Sequence, residues 1–163
     1  MDRSSYFIQD KALFGSFPTQ DSVEELEREG VRYFVDLTFS DEKNITLYNT
    51  NYVYISFPIK DQFYPENKVI FAEFIKDLIN IILNMKPGEK MYIHCKGGHG
   101  RSGVVVAILL CNLYNFTPQQ SITETSLLHS KRVDMKSKWR TIGSPQTYLQ
   151  KKFVYDFYDF QKN

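Results

Sequence analysis

The stretch from Met91 to Leu113, MYIHCKGGHGRSGVVVAILLCNL, constrains the fold more than any other part of the chain. Met91–His94 (MYIH) is short and apolar and reads as a buried strand. Ser102–Leu113 is apolar on nearly every side, so it reads as a helix enclosed by the domain, not one lying on its surface. A glycine-rich turn, Cys95–Gly100, joins the two. A strand that passes through such a turn into a buried helix is the unit of an open α/β sheet, where ligands bind beyond the carboxyl ends of the strands.

The rest of the chain agrees with that unit. ALFG at 12–15 is a candidate strand. Asp21–Glu29 reads as a helix capped by Asp21 or Ser22 and ended by Gly30. Val31–Thr38 and Tyr52–Phe57 read as strands from their β-branched and aromatic content. Asn67–Met85 places Ile70, Phe71, Phe74, Ile75, Leu78, Ile81, Ile82 and Met85 on one wide apolar face before Pro87 and Gly88 stop the helix. Thr117 followed by Pro118 is a helix start, and a last helix is expected over Pro145–Phe160. The alternation predicts a three-layer α/β/α domain with a mostly parallel sheet of four or five strands. No linker or repeat divides the chain, so residues 1–163 are expected to form one domain.

Composition sets bounds. Over 163 residues, 42% are hydrophobic and 24% charged, as in an ordinary globular chain. The formal net charge is only +1, so bulk charge points to no nucleic-acid or membrane partner, and affinity for anions must be local. The apolar run from Val104 towards Phe116 is too short and too interrupted by Asn112 and Asn115 to span a bilayer. Cys95 and Cys111 alone make no disulfide framework, and no secretory signal is visible, so a reducing, cytoplasmic setting is expected. Cys111, inside the helix, reads as packing.

Two chemistries compete for the glycine-rich turn. A nucleotide-binding loop needs G-x-x-x-x-G-K-[ST]. Gly98 and Gly103 have that spacing, but Val104 stands where the lysine is required. A nucleophilic loop fits instead. Cys95 and Arg101 form C-x5-R, and the turn between them can wrap round one phosphoryl group. Its backbone N–H groups, the helix N-terminus and Arg101 all favour negative charge, which favours a Cys95 thiolate. The thiolate can attack phosphorus and form a phosphocysteine. The Arg101 guanidinium is expected to fork onto two phosphoryl oxygens. Ser102 can donate its hydroxyl to the sulfur, and His94 can orient the loop. Lys96, Gly97, Gly98, His99 and Gly100 complete the expected substrate cradle.

H-C-x5-R-[ST]-G resembles the signature of the cysteine-dependent tyrosine and dual-specificity phosphatases. The resemblance runs from about residue 12 to 160. It implies a phosphomonoesterase that needs no metal and no cofactor and acts on a phosphoprotein, on phosphotyrosine with or without phosphoserine and phosphothreonine. FPIKDQFYP, Phe57–Pro65, resembles the family's general-acid loop and assigns the acid to Asp61, with Asp36 more at home in structural hydrogen bonds. QTYLQKKF, Gln146–Phe153, resembles the glutamine loop that positions hydrolytic water in tyrosine phosphatases. That makes Gln146 the first candidate and Gln150 the second, against an ordinary capped helix start.

Departures from the family widen the substrate question. The tyrosine-recognition loop is missing, and Gly100 stands before the arginine where serine is usual in kinase-directed dual-specificity enzymes. Lys96 and His99 resemble part of the basic loop of phosphoinositide phosphatases. Lys131, Arg132, Lys136, Lys138 and Arg140 form either a basic rim or a solvated loop anchored by Trp139. Phosphoinositide or RNA 5'-triphosphate hydrolysis, or non-catalytic phosphate binding, are the alternatives. His129, at a helix end, is expected on the surface.

Overall fold

The computed structural model describes residues 2–163. Five strands, β1 (Ser4–Ile8), β2 (Ala12–Gly15), β3 (Val31–Asp36), β4 (Val53–Ser56) and β5 (Lys90–His94), form one sheet in the order β1-β2-β5-β3-β4. The β2-β5-β3-β4 part is parallel, and β1 pairs antiparallel with β2 at one edge. The expected strands are therefore present, and β1 is an addition. The strand SSYFI reaches β2 through a tight turn at Asp10, whose φ of 60° is a conformation Asp tolerates.

Six helices complete the domain: α1 (Gln20–Arg28), α2 (Lys68–Asn84), α3 (Arg101–Tyr114), α4 (Pro118–His129), α5 (Ser137–Ile142) and α6 (Tyr148–Lys162). The helical layers are unequal. Helices α2, α3, α4 and α6 pack together over one face, burying Phe71, Leu78, Val105, Leu109, Val154 and Phe157 with the inward residues of the sheet. Helix α1 lies on the other face, where Val23 and Leu26 meet Leu13, Val31, Phe34 and Tyr92. Every residue of α3 from Arg101 to Cys111 is buried, which is why its sequence has no polar face. Each large apolar side chain so enclosed contributes about 1.5–3 kcal/mol of transfer free energy.

Helix boundaries show local chemistry prevailing. Thr19, not Asp21 or Ser22, caps α1 by accepting the Ser22 N–H. Thr117 and Gln120 form a reciprocal capping box at α4, and Thr147 and Gln150 do the same at α6, so the last helix starts three residues later than its proline suggested.

The strand register prepares the site. Gly15, His94, Asp36 and Ser56 lie in one row across four parallel strands. The chain leaves all four strands at that row, so four loops emerge along one edge of the sheet.

Candidate active site

Cys95 follows the last residue of β5 and is 3% exposed. The Gly98 N–H donates to its sulfur at 3.2 Å. Ser102 Oγ lies 3.5 Å from the same sulfur, hydrogen-bonded to it from the first turn of α3. Once the thiol has lost its proton, only the Ser102 hydroxyl can be the donor in that pair. Gly100 begins α3 with no side-chain cap, which leaves the helix's first N–H groups facing the loop.

Two glycines show why the turn takes this shape. Gly98 has φ +79°, and a Cβ there would lie 2.3 Å from the Gly15 carbonyl carbon, so the turn presses directly on the end of β2. Gly103 has ordinary backbone angles, but a Cβ would lie 2.1 Å from Ser144 Oγ and 3.0 Å from Pro145 Cα. It lets α3 touch the segment that leads into α6. Ser144 Oγ in turn donates to the His99 carbonyl at 2.6 Å, tying that segment to the loop.

His94 is fully buried beneath the loop. Burial drives its pKa down to about 4, against the opposing pull of Asp36, so the ring is neutral at neutral pH. Its Nδ1 lies 3.3 Å from the Cys95 carbonyl, which can only accept, so Nδ1 carries the proton. Nε2 then accepts from the Tyr48 hydroxyl at 2.7 Å. Burial and the neighbouring Asp36 keep Tyr48 protonated by raising its pKa. Asp36 itself accepts from the Thr38 N–H and hydroxyl and from the Tyr54 hydroxyl, a structural role at the end of β3.

Arg101 is 1% exposed, and its fork is already engaged. Nη1 donates to Glu42 Oε2 at 2.7 Å and to the Ile59 carbonyl at 2.9 Å. Nη2 donates to Glu42 Oε1 at 3.0 Å and lies 3.3 Å from Asp61 Oδ1. Nε has no partner. Glu42 holds the face formed by the two terminal nitrogens, so a fork onto two phosphoryl oxygens has to use the other edge. The edge left for an anion is Nε–H with the Nη2 hydrogen now facing Asp61. Glu42 escaped the sequence reading because it lies in a polar stretch with no local pattern. Burial raises the Glu42 pKa, but the hydrogen bonds from Arg101 and the Phe39 N–H, with the charge of Arg101, hold it below 4.5 overall.

Asp61 belongs to the loop after β4, and its side chain is 58% exposed. Gln150 is wholly buried, and its amide lies against Gly100 of the cysteine loop, where a Cβ would come 2.7 Å from Nε2. Its Oε1 accepts from the Thr147 N–H, and its Nε2 donates to the Phe63 carbonyl at 3.0 Å. The Nε2 end therefore fastens the Asp61 loop to α6, while the Oε1 end closes the helix's own capping box. Gln146 is half-buried and makes no side-chain hydrogen bond among the described residues.

The other side of the loop differs most from expectation. His99 stacks on Trp139 with centroids 4.2 Å apart, and its Nδ1 lies 2.8 Å from His129 Nε2. His129, expected on the surface, is completely buried. Burial first, then the nearby Arg132, pulls the pKa down to about 4 for His99 and about 3 for His129. The basic segment is neither simple rim nor loop. Ser137–Ile142 form the short helix α5, Arg132 is 2% exposed, and Arg140 donates to the Ser130 and Arg132 carbonyls.

Comparison with known proteins agrees with this arrangement. Residues 3–154 match the family model of the Swiss Army Knife DSP-PTPase phosphatase domain. The chain is 40% identical over 160 residues to 067L of Invertebrate iridescent virus 3, named as a tyrosine phosphatase, covering 97% of this chain and 66% of that protein. It is 52% identical over 121 residues to 197R of Invertebrate iridescent virus 6, also named as a tyrosine phosphatase, covering 73% of this chain and 46% of that protein. The chain thus spans between about half and two thirds of the length of these viral relatives. Among solved structures, Tk-PTP in its active form superposes with a TM-score of 0.73 at 19% identity, covering 96% of this chain and 97% of that one, a likeness of fold.

Proposed function

The chain belongs to the DSP-PTPase phosphatase domain family, and on that premise we propose that it hydrolyses phosphotyrosine in a phosphoprotein, and phosphoserine or phosphothreonine with it, through a phosphocysteine. The observation that carries this reading is the convergence of Cys95, the free Nε edge of Arg101 and Asp61 at one edge of the sheet. The names of the viral relatives support it.

In the first step the Cys95 thiolate attacks phosphorus and the ester P–O bond breaks. Asp61, protonated, gives its proton to the departing oxygen. In the second step Asp61 takes a proton from water. The water oxygen bonds to phosphorus, and the S–P bond breaks to return the thiolate, with Ser102 donating to the sulfur as charge builds there. The loop N–H groups, the α3 N-terminus and Arg101 stabilise charge on the transferring group throughout. A phosphoryl oxygen takes the place of Asp61 on Arg101 Nη2, which releases the carboxyl group towards the leaving oxygen. Gln146, with an uncommitted amide, is suited to hold the water. A nucleophilic thiol places the protein in a reducing compartment, and residues 1–163 act as one catalytic unit.

The test is a panel of phosphotyrosine peptide, phosphothreonine peptide, phosphoinositide and triphosphorylated RNA, with and without EDTA. The expected result is metal-independent turnover of the phosphotyrosine peptide. Loss of activity with EDTA, or turnover of RNA or lipid alone, overturns the reading.

A further inference from the structure

Arg132 carries a buried charge that the protein does not neutralise. It is 2% exposed, yet no carboxylate lies within ion-pair distance among the described residues. Nη2 donates to the Phe14 carbonyl at 3.3 Å, and the guanidinium carbon sits 4.8 Å from the centre of the Phe14 ring. Nε has no partner at all. Burial pulls the Arg132 pKa down to about 10, against the pull of Tyr92 and Cys95. A desolvated guanidinium normally has a counter-ion, because the charge alone is costly to remove from water.

The surroundings indicate where a counter-ion would come from. Arg132 lines a cavity of about 350 Å³ beside the cysteine loop. Ser16 Oγ, also buried and without a partner, lines the same cavity. Arg3, Lys96 and Lys136 add three more cations, while the one acid, Asp134, is bound to Arg3 at 3.1 Å. Trp139, held flat by its stack on His99, supplies an aromatic wall. Lys96, Gly97 and His99 belong both to this wall and to the loop around Cys95. An occupant here therefore lies next to a phosphoryl group in that loop.

We propose that this cavity is a second anion-binding site, which takes a further phosphate or carboxylate group carried by the same phosphoprotein substrate. The proposal rests on the phosphatase reading for the identity of the substrate. The group would sit close along the peptide, since an extended chain advances about 3.3–3.6 Å per residue. The anion completes the hydrogen bonding of Arg132 Nε and Ser16 Oγ and turns a buried unpaired charge into a pair. Specificity thus comes from a side chain that performs no step of the hydrolysis.

The test compares p-nitrophenyl phosphate with three phosphotyrosine peptides whose flanks are neutral, glutamate-rich or phosphorylated. Wild-type kcat/KM should favour the two anionic peptides over the neutral one by about 10-fold or more, the range of a charge-assisted hydrogen bond. Arg132→Met, which keeps the stem over Phe14, should remove that preference and leave p-nitrophenyl phosphate turnover within about twofold. Arg132→Lys should restore part of it. Lys136→Ala, at an exposed position, should lower it without touching the fold. Equal loss on all four substrates would overturn the proposal, because Arg132 would then act through Cys95 or through folding. A phosphoinositide preferred over every peptide would overturn the peptide source.

A second measurement needs no turnover. Equilibrium dialysis of the Cys95→Ser protein against inorganic phosphate should find two sites per chain, and one when Arg132→Met is added. One site in both proteins overturns the proposal even if hydrolysis is confirmed. Two sites with no hydrolysis by the wild type would overturn the phosphatase reading and leave the second site standing.

Discussion

Replacing Glu42 by Gln tests the electrostatic frame of the site while keeping its shape. In the native protein two charged hydrogen bonds, 2.7 and 3.0 Å long, run from Arg101 to Glu42. The amide can accept only one of them, and it turns its own N–H₂ towards a guanidinium nitrogen. Removing one partner from a buried ion pair costs about 3–5 kcal/mol. That figure falls here, because the Glu42 side chain is 16% exposed and Arg101 keeps Ile59 and Asp61. A loss of about 2 kcal/mol is the working value, close to one charged hydrogen bond. For a domain of this size it lowers Tm by about 4–8 °C.

The same substitution frees the fork of Arg101 to turn away from the phosphoryl group. If about 1.5–3 kcal/mol of the lost orientation appears in the transition state, kcat/KM falls by about 10- to 100-fold. Thermal unfolding followed by circular dichroism and steady-state hydrolysis of an aryl phosphate measure the two effects. The pH dependence gives a third reading. The folded pKa of Glu42 is depressed below 4.5, so its contribution is complete above the ordinary Glu range and is lost as pH falls through the depressed value. Glu42→Gln should lose that acid-dependent part of the stability. A variant with Tm within about 1 °C and kcat/KM within about twofold of wild type would refute the reasoning.

Other expectations are narrower. Cys95→Ser should hydrolyse nothing yet still bind inorganic phosphate in a calorimetric titration; measurable turnover would exclude the covalent route. Asp61→Ala should slow poor leaving groups far more than activated aryl phosphates, and a leaving-group series with equal slowing would remove it as the acid. Buried neutral His94 and His129 hold folded pKa values of about 4 and about 3, against 6.5 unperturbed. The unfolded chain therefore takes up protons first, and urea stability should be full above pH 6.5 and decline towards pH 4, by about 1.4 kcal/mol per unit per histidine. A flat profile over that range would contradict their burial as neutral rings. Gly98→Ala should destabilise the loop severely, since its φ is +79° and the new methyl would meet the Gly15 carbonyl; retained phosphate affinity would refute this.

Much of the site was legible in one short segment. Cys95, Arg101 and Ser102 lie within a single turn and the start of a helix. Their relation is set by local backbone geometry, and so by spacing. The parallel sheet was readable from alternating strands and helices, because each element's period records which of its faces is buried. The misses have equally physical causes. Strand β1 is short, and its SSYFI sequence carries no long period; it exists because β2 offers it an edge. Helix α5 has six residues, too few for a periodic signal.

What the sequence by itself determined is the chemistry of the loop: a cysteine, an arginine and a hydroxyl held by a turn that glycine permits. Only the tertiary structure decided what surrounds it. Glu42 reaches Arg101 across 59 residues. Gln150 reaches Phe63 across 87. His129 meets His99 across 30. Such contacts arise because parallel strands in register release several loops at one edge of the sheet, and no local pattern encodes which loop will meet which. Burial is decided the same way. Arg132 and His129 are polar in the sequence, and it is the packing of α4 against β1 and the loop that takes them out of water.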